Sequence, residues 1–350
     1  MQDVRQEEIQ QGIRQDTRQD TRQDTRQDTR QDTRQDTRQD TRQDTRQDTR
    51  QDIGQEVFSG IWLPLVTPFA GGEVDHGALR RLVAHYRGSG IAGLVVCGST
   101  GEAAALDEAE QLAVLDAVLE EAGGLPVMMG LAGFNQRQVL ARLARLNERP
   151  LAGLLTPAPC YVRPSQQGLL GYFSTLADHA AAPLVLYDIP YRTGIKIETA
   201  TLLALAGHGN IRALKDCGGS LDSTQAVIDD GRLALLAGED AQVLGTLCLG
   251  GRGAIIASAH VRPDLFVGLW RAVEAGRLAE ARRLFRALAP VLSLLFAETN
   301  PGPLKALLAR QGLLRDELRA PMTAASPALA EQLAAAYAAL DGVRAPVAGA

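Results

Sequence analysis

Eight short apolar runs alternate with longer stretches of helical periodicity, at residues 61–68, 92–97, 127–131, 153–156, 183–188, 211–216, 233–237 and 253–258. No other feature limits the fold of this chain as tightly. Runs of that length read as strands buried on both faces, the habit of a parallel sheet. Parallel neighbours need crossover connections, usually helical and right-handed. The intervening segments supply them: residues 107–122 (DEAEQLAVLDAVLEEA) and 135–147 (NQRQVLARLARLN) carry apolar residues at helical spacing. Asp107, with Glu110 three residues on, forms a capping-box pattern. Eight strand–helix units close into a (β/α)8 barrel, an α/β fold of the TIM-barrel type, predicted over residues 55–275. An open doubly wound sheet is the alternative, and it would leave two strands at edges. From residue 262 the pattern is helical only, over 262–274, 277–297, 301–312 and 326–340. The first of these finishes the barrel. The rest predict a C-terminal helical extension over 276–350.

The first 54 residues are of another kind. From Arg14 to Thr49 the tetrapeptide RQDT repeats nine times without error. Each unit carries one positive charge, one negative charge and no apolar residue, and its period sets arginine four residues from arginine, which disfavours helix. Such a segment cannot bury a core, so residues 1–54 are expected to be a disordered tail. It lacks the apolar stretch of a secretory signal and the serine-rich, acid-poor make-up of a transit peptide. A docking element is the alternative to a passive tail.

Beyond that tail, 25 basic and 28 acidic residues leave a net charge of −3. That balance gives no electrostatic reason to expect nucleic acid or an anionic membrane as partner. No apolar run reaches the length of a membrane span. Cys97, Cys160, Cys217 and Cys248 show neither CxxC nor zinc spacing, and the five histidines show no metal-ligand spacing. The expectation is a cytoplasmic protein with free thiols and no metal.

A barrel of this kind carries its chemistry at the C-terminal ends of the strands. Those ends hold Thr67, then Gly98-Ser99-Thr100-Gly101-Glu102, Cys160-Tyr161, Tyr187 with Arg192, Lys215, Gly238-Glu239-Asp240, and Ser258. Only three of the 36 basic residues are lysines: Lys196, Lys215 and Lys305. Of these, Lys215 alone stands at a strand end, inside the apolar run IRALKDC. Lysine, unlike arginine, loses its proton when desolvated and can then act as a nucleophile. The plainer reading pairs it with Asp216.

A neutral lysine attacks a ketone or aldehyde to give a Schiff base, an electron sink for making or breaking a carbon–carbon bond. Tyr187 and Ser99 could relay protons to it without adding charge; a half-buried tyrosine with a satisfied hydroxyl is the plainer reading of Tyr187. In GSTGE, the hydroxyls of Ser99 and Thr100 and the backbone N–H groups around Gly101 suit the oxygens of a carboxylate or keto acid, as does an ordinary turn. Arg192 suits a second carboxylate, held bidentately, or plain surface. Cys97 and Cys217 have no histidine nearby and read as small apolar residues.

Together, CGSTGEA (97–103), CYVRPSQQG (160–168), LYDIPYRTG (186–194), ALKDCGG (213–219), AGEDAQVL (237–244) and ETNPGPLK (298–305) resemble the dihydrodipicolinate synthase and N-acetylneuraminate lyase family of class I aldolases. The resemblance runs in order from residue 57 to about residue 340. It implies a (β/α)8 barrel with a helical extension, a homotetramer built as a dimer of dimers, and Lys215 forming the Schiff base with pyruvate. Tyr187 would be the general acid/base, in a relay with Ser99 and Tyr161, the latter reaching into a neighbouring subunit's site. Thr100 and the backbone of Ile255 would hold pyruvate, with Gly101 beside them.

The Arg-Thr-Gly at 192–194 matches the synthase branch, in which the arginine binds the carboxylate of L-aspartate 4-semialdehyde. This implies condensation of pyruvate with that aldehyde in diaminopimelate and lysine biosynthesis, with no cofactor. The alternatives are a related pyruvate-dependent lyase acting on another 2-keto acid and a catalytically silent barrel used as a scaffold. Some positions depart from the family. Ala103, Glu108, Gln111 and Cys160 stand where lysine-inhibited members carry a serine, two histidines and a tyrosine, so feedback inhibition by lysine is not expected. Asp188 and Asp216 replace the commoner Asn and Glu.

Overall fold

The computed structural model describes residues 58–345, so the repeat tail lies outside the described residues. Eight strands, β1 (Gly60–Pro64), β2 (Gly93–Val96), β3 (Val127–Gly130), β4 (Gly153–Pro157), β5 (Leu184–Asp188), β6 (Ile211–Asp216), β7 (Ala234–Ala237) and β8 (Gly253–Ile255), form a closed parallel barrel. Each pairs with its neighbours in sequence, and β1 closes the ring against β8 through the register Gly60–Gly253, Ile61–Ala254 and Trp62–Ile255. The seam needs glycine: a Cβ on Gly253 would lie 2.1 Å from the Gly60 carbonyl oxygen. This is the predicted (β/α)8 barrel. Closure leaves no unpaired edge, the liability of the open-sheet alternative.

Side chains alternate across the barrel wall with the two-residue period of a strand. Ile61, Leu63, Leu94 and Val96 pack outward against the helices. Trp62, Val95, Met128, Leu155, Val185, Ala213, Leu236 and Ile255 point inward and fill the lumen as a second apolar cluster. The lumen is therefore packed, and the site must lie above its last layer.

The barrel helices are α1 (His76–Arg87), α2 (Glu108–Glu121), α3 (Gln136–Leu146), α4 (Gln166–His179), α5 (Thr199–Leu205), α6 (Leu221–Asp230), α7 (Val243–Cys248) and α8 (Pro263–Glu274). At the start of α2 the predicted capping box is present: the Asp107 carboxylate accepts from the Glu110 N–H at 2.8 Å, and the Glu110 carboxylate from the Asp107 N–H at 2.9 Å. Three more helices follow, α9 (Leu278–Leu295), α10 (Gly302–Arg310) and α11 (Pro327–Ala338), forming the helical extension. A short antiparallel ribbon, Phe69–Ala70 with Glu73–Val74, follows β1.

Two predicted strands run too long. The run 61–68 leaves the sheet after Pro64, because Val66 N–H donates to His260 Nε2 at 3.3 Å and the Thr67 hydroxyl to the Gly101 carbonyl at 2.7 Å. These groups are buried above the barrel rim, so the segment reads as strand while serving as a buried loop. The run 253–258 likewise ends at Ile255, where Ala257–His260 turn into a short 3-10 helix.

Candidate active site

Ala213 on β6 and Cys217 just past its end both face inward, so the alternation turns Lys215, between them, into the top of the lumen. Adjacent in register on β5 is Tyr187, whose ring centroid lies 4.4 Å from the Lys215 Nζ. Lys215 is 5% exposed, and this desolvation pushes its amine below the ordinary lysine range. The Arg192 charge acts in the same direction, while Cys217, Asp240 and Glu239 oppose it.

The plainer pairing with Asp216 is absent. One residue on, Asp216 faces the other way, and its oxygens accept from the Gly218 N–H at 2.8 Å and the Thr224 hydroxyl at 2.5 Å.

Burial raises the Tyr187 phenol well above the usual tyrosine range, against which the Ser99 hydroxyl and Arg192 favour its ionised form. Ser99 and Thr100 follow β2 in a turn bracketed by two non-glycine residues in the left-handed region, Cys97 (φ 52°) and Glu102 (φ 53°). The Thr100 hydroxyl accepts from Asn300 Nδ2 at 3.1 Å.

Lys215, Tyr187, Ser99, Thr100, Arg192 and Ile255 line one cavity of about 200 Å³. Arg192 comes from a single helical turn, Pro190–Thr193, after β5. Its guanidinium lies 5.9 Å from the Tyr191 ring centroid, and the Tyr191 hydroxyl donates to Glu239 at 2.9 Å. Asp240 adds a buried carboxyl that accepts from the Ser258 N–H at 2.7 Å and its hydroxyl at 2.5 Å; burial pushes its pKa up to about 6.

Two sequence-predicted residues do not line this cavity. Gly101 sits behind the turn, where a Cβ would lie 2.9 Å from the Leu65 carbonyl oxygen. Tyr161 is 89% exposed, in the left-handed region at φ 72°.

Conversely, Phe296, Glu298, Thr299 and Asn300, between α9 and α10, do line it. Sequence reasoning gave them no role in the site because they fall beyond the barrel, Phe296 at the end of a predicted helix and residues 298–300 in the loop after it, within the ETNPGPLK motif. The polar stretch ETN interrupting an apolar helical pattern was the available signal. Among the described residues no group of three His, Cys, Asp or Glu side chains is arranged to hold a metal ion, and all four cysteines are free.

The profile of the dihydrodipicolinate synthetase family matches residues 57–340. A 4-hydroxy-tetrahydrodipicolinate synthase from Magnetococcus marinus is 37% identical over 275 residues, covering 78% of this chain and 94% of the relative. One from Clostridium acetobutylicum is 34% identical over 279 residues, covering 79% of this chain and 98% of the relative. Among solved structures, a dihydrodipicolinate synthase from Aquifex aeolicus superposes with a TM-score of 0.78 at 31% identity, covering 83% of this chain and 100% of that one. One from Cyanidioschyzon merolae, solved with lysine bound, gives 0.79 at 31% identity, covering 81% and 99%. The apolar strands, the buried lysine at the end of β6 and these matches lead to one assignment: the chain belongs to the dihydrodipicolinate synthetase family.

Proposed function

We propose that this protein condenses pyruvate with L-aspartate 4-semialdehyde to give 4-hydroxy-tetrahydrodipicolinate, using Lys215 as the Schiff-base nucleophile. One observation carries the reading: Lys215 is desolvated, faces a hydroxyl-lined cavity and is not paired with Asp216. An amine so placed has a larger neutral fraction than a solvated lysine, and only the neutral form attacks a carbonyl.

Nζ adds to C2 of pyruvate to form a carbinolamine. Tyr187, through the Ser99 hydroxyl, supplies the proton with which the C2 hydroxyl leaves as water, giving the iminium. Loss of a methyl proton makes the enamine, whose C3 attacks the aldehyde carbon of the second substrate while the aldehyde oxygen takes a proton. The amino group of that substrate then displaces Lys215 from C2, closing the ring and freeing the enzyme. One water leaves in the whole sequence. The hydroxyls of Ser99 and Thr100 and the backbone of Ile255 would hold the pyruvate carboxylate.

Arg192 and Glu239 both line the cavity and offer opposite charges, as the carboxylate and ammonium of an amino-acid aldehyde require. This favours the synthase reading over a lyase acting on another 2-keto acid. Tyr161, exposed on its own chain, is assigned to a partner's proton relay within a homotetramer, and the protein to the cytoplasm. Among the described residues no helix is long and apolar enough to cross a membrane.

The assay mixes both substrates and follows the product through a dihydrodipicolinate reductase. Reductase-coupled turnover is expected. Turnover with a different aldehyde or 2-keto acid alone would support the lyase instead.

A further inference from the structure

The proposed mechanism leaves one buried ion pair unused. Lys305, on α10, is 0% exposed, and its ammonium meets the carboxylate of Glu102, whose side chain is 1% exposed. The same ammonium donates to the Glu317 carbonyl at 2.9 Å and lies 4.3 Å from the Phe69 ring centroid. The second Glu102 oxygen accepts from the Arg319 backbone N–H at 3.2 Å.

Glu102 ends the turn that carries Ser99 and Thr100, and it does so in the left-handed backbone region at φ 53°. A non-glycine residue keeps that conformation only where its surroundings over-determine it. The surroundings here come largely from the extension. Asn300, five residues before Lys305, donates to Thr100 on the cavity side of the turn, while Lys305 holds Glu102 behind it. Further along, the Glu317 carboxylate accepts from Gly71 N–H at 3.0 Å and Gly72 N–H at 2.5 Å, and Arg319 forks onto Glu110. Asn300 and Lys305 thus grip the turn from front and rear, whereas the Glu317 and Arg319 side chains fasten the segment elsewhere, to the loop at Gly71–Gly72 and to α2.

A buried ion pair is rarely more stabilising than an apolar pair of the same volume. In some proteins such a pair serves instead to fix one arrangement of the groups around it.

We propose that Lys305 and Glu102 are positioning residues for the pyruvate site, locking the turn so that the Ser99 and Thr100 hydroxyls face the substrate. The inference rests on the assignment of those hydroxyls to pyruvate above. It makes the C-terminal extension a working part of the active site.

The test compares wild type with Glu102→Gln, the double variant Glu102→Gln/Lys305→Met, and Arg319→Met. Each is first checked for folding by circular dichroism and thermal melting. The first two are expected to raise the KM for pyruvate about tenfold, with kcat falling less than threefold and the KM for the aldehyde changing less than twofold. Arg319→Met removes the fork onto Glu110 but leaves the buried pair, so it should lower the melting temperature with the pyruvate KM unchanged. Glu102→Gln is isosteric and keeps its acceptor oxygen, so it carries the test if the double variant does not fold.

An unchanged pyruvate KM in folded Glu102→Gln overturns the proposal, as does an equal rise in Arg319→Met. Borohydride trapping of pyruvate on wild-type Lys215 separates the two levels. No adduct there defeats the functional reading, whereas a normal adduct with indifferent variants defeats only the positioning role.

Discussion

Tyr187 and Lys215 stand side by side on adjacent strands, with the amine 4.4 Å from the ring centroid and the phenol still short of solvent. The pairing follows from register alone, since both residues take inward positions at the same height on β5 and β6. Replacing Tyr187 with Phe keeps the ring that covers the amine and removes only the hydroxyl proposed as proton donor. The kcat should fall by about 10²- to 10⁴-fold, the range for a lost general acid/base, with a melting temperature close to wild type. A drop of less than tenfold would remove Tyr187 from the relay.

The depressed amine of Lys215 gives a pH prediction. Its folded pKa lies below the unfolded value, so the unfolded chain binds more protons there and stability rises with pH between the two values. The neutral amine is also the reactive form, so the rate of pyruvate capture should rise as pH climbs through the folded pKa. Arg192 helps to depress that pKa, so Arg192→Ala should shift the rising limb to higher pH. Lys215→Met removes the cost of burying an amine; at neutral pH it should melt at the same temperature as wild type or higher, while losing all activity. Calorimetry and the pH profile of single-turnover capture read these directly.

The proposed role of Arg192 also separates the two substrates. Loss of a charge-assisted hydrogen bond is worth about 1.5–3 kcal/mol. Arg192→Ala should therefore raise the KM for aspartate semialdehyde about 10- to 100-fold, and that for pyruvate much less. Equal effects in steady-state kinetics would favour the lyase reading.

Free L-lysine should leave the rate unchanged in a titration of initial velocity. Of the residues that the family resemblance sets at the inhibitor's positions, Glu108 and Gln111 are otherwise engaged. Glu108 pairs with Arg145 at 2.8 Å, and the Gln111 amide donates to the carbonyls of Ala103 at 2.9 Å and Leu106 at 3.1 Å. Deleting residues 1–52 should leave kcat/KM within about twofold, since the family match begins at residue 57.

Much of this architecture was legible in the sequence, and the reason is local. Two-sided burial writes each barrel strand as an apolar run, and a capping box such as Asp107–Glu110 is spelled out within four residues. The lysine bias singled out Lys215, and strand alternation then turned it inward and Asp216 away. What remained hidden depends on distance along the chain. Asn300 meets Thr100 across 200 positions, and Lys305 reaches Glu102 from a helix of the extension, contacts that no periodicity encodes. The Leu65–Pro68 segment misled for a related reason: the Val66 N–H is satisfied by His260 and the Thr67 hydroxyl by the Gly101 carbonyl, so an apolar loop could stay buried.

The proposed reaction depends on an imine between Lys215 and pyruvate. Incubation with pyruvate, reduction with borohydride and peptide mass spectrometry test it directly. A carboxyethyl adduct on Lys215, absent from Lys196 and Lys305 and lost in Lys215→Met, is the expected result. An unmodified Lys215, or an adduct on another residue, would rule out Lys215 as the Schiff-base nucleophile.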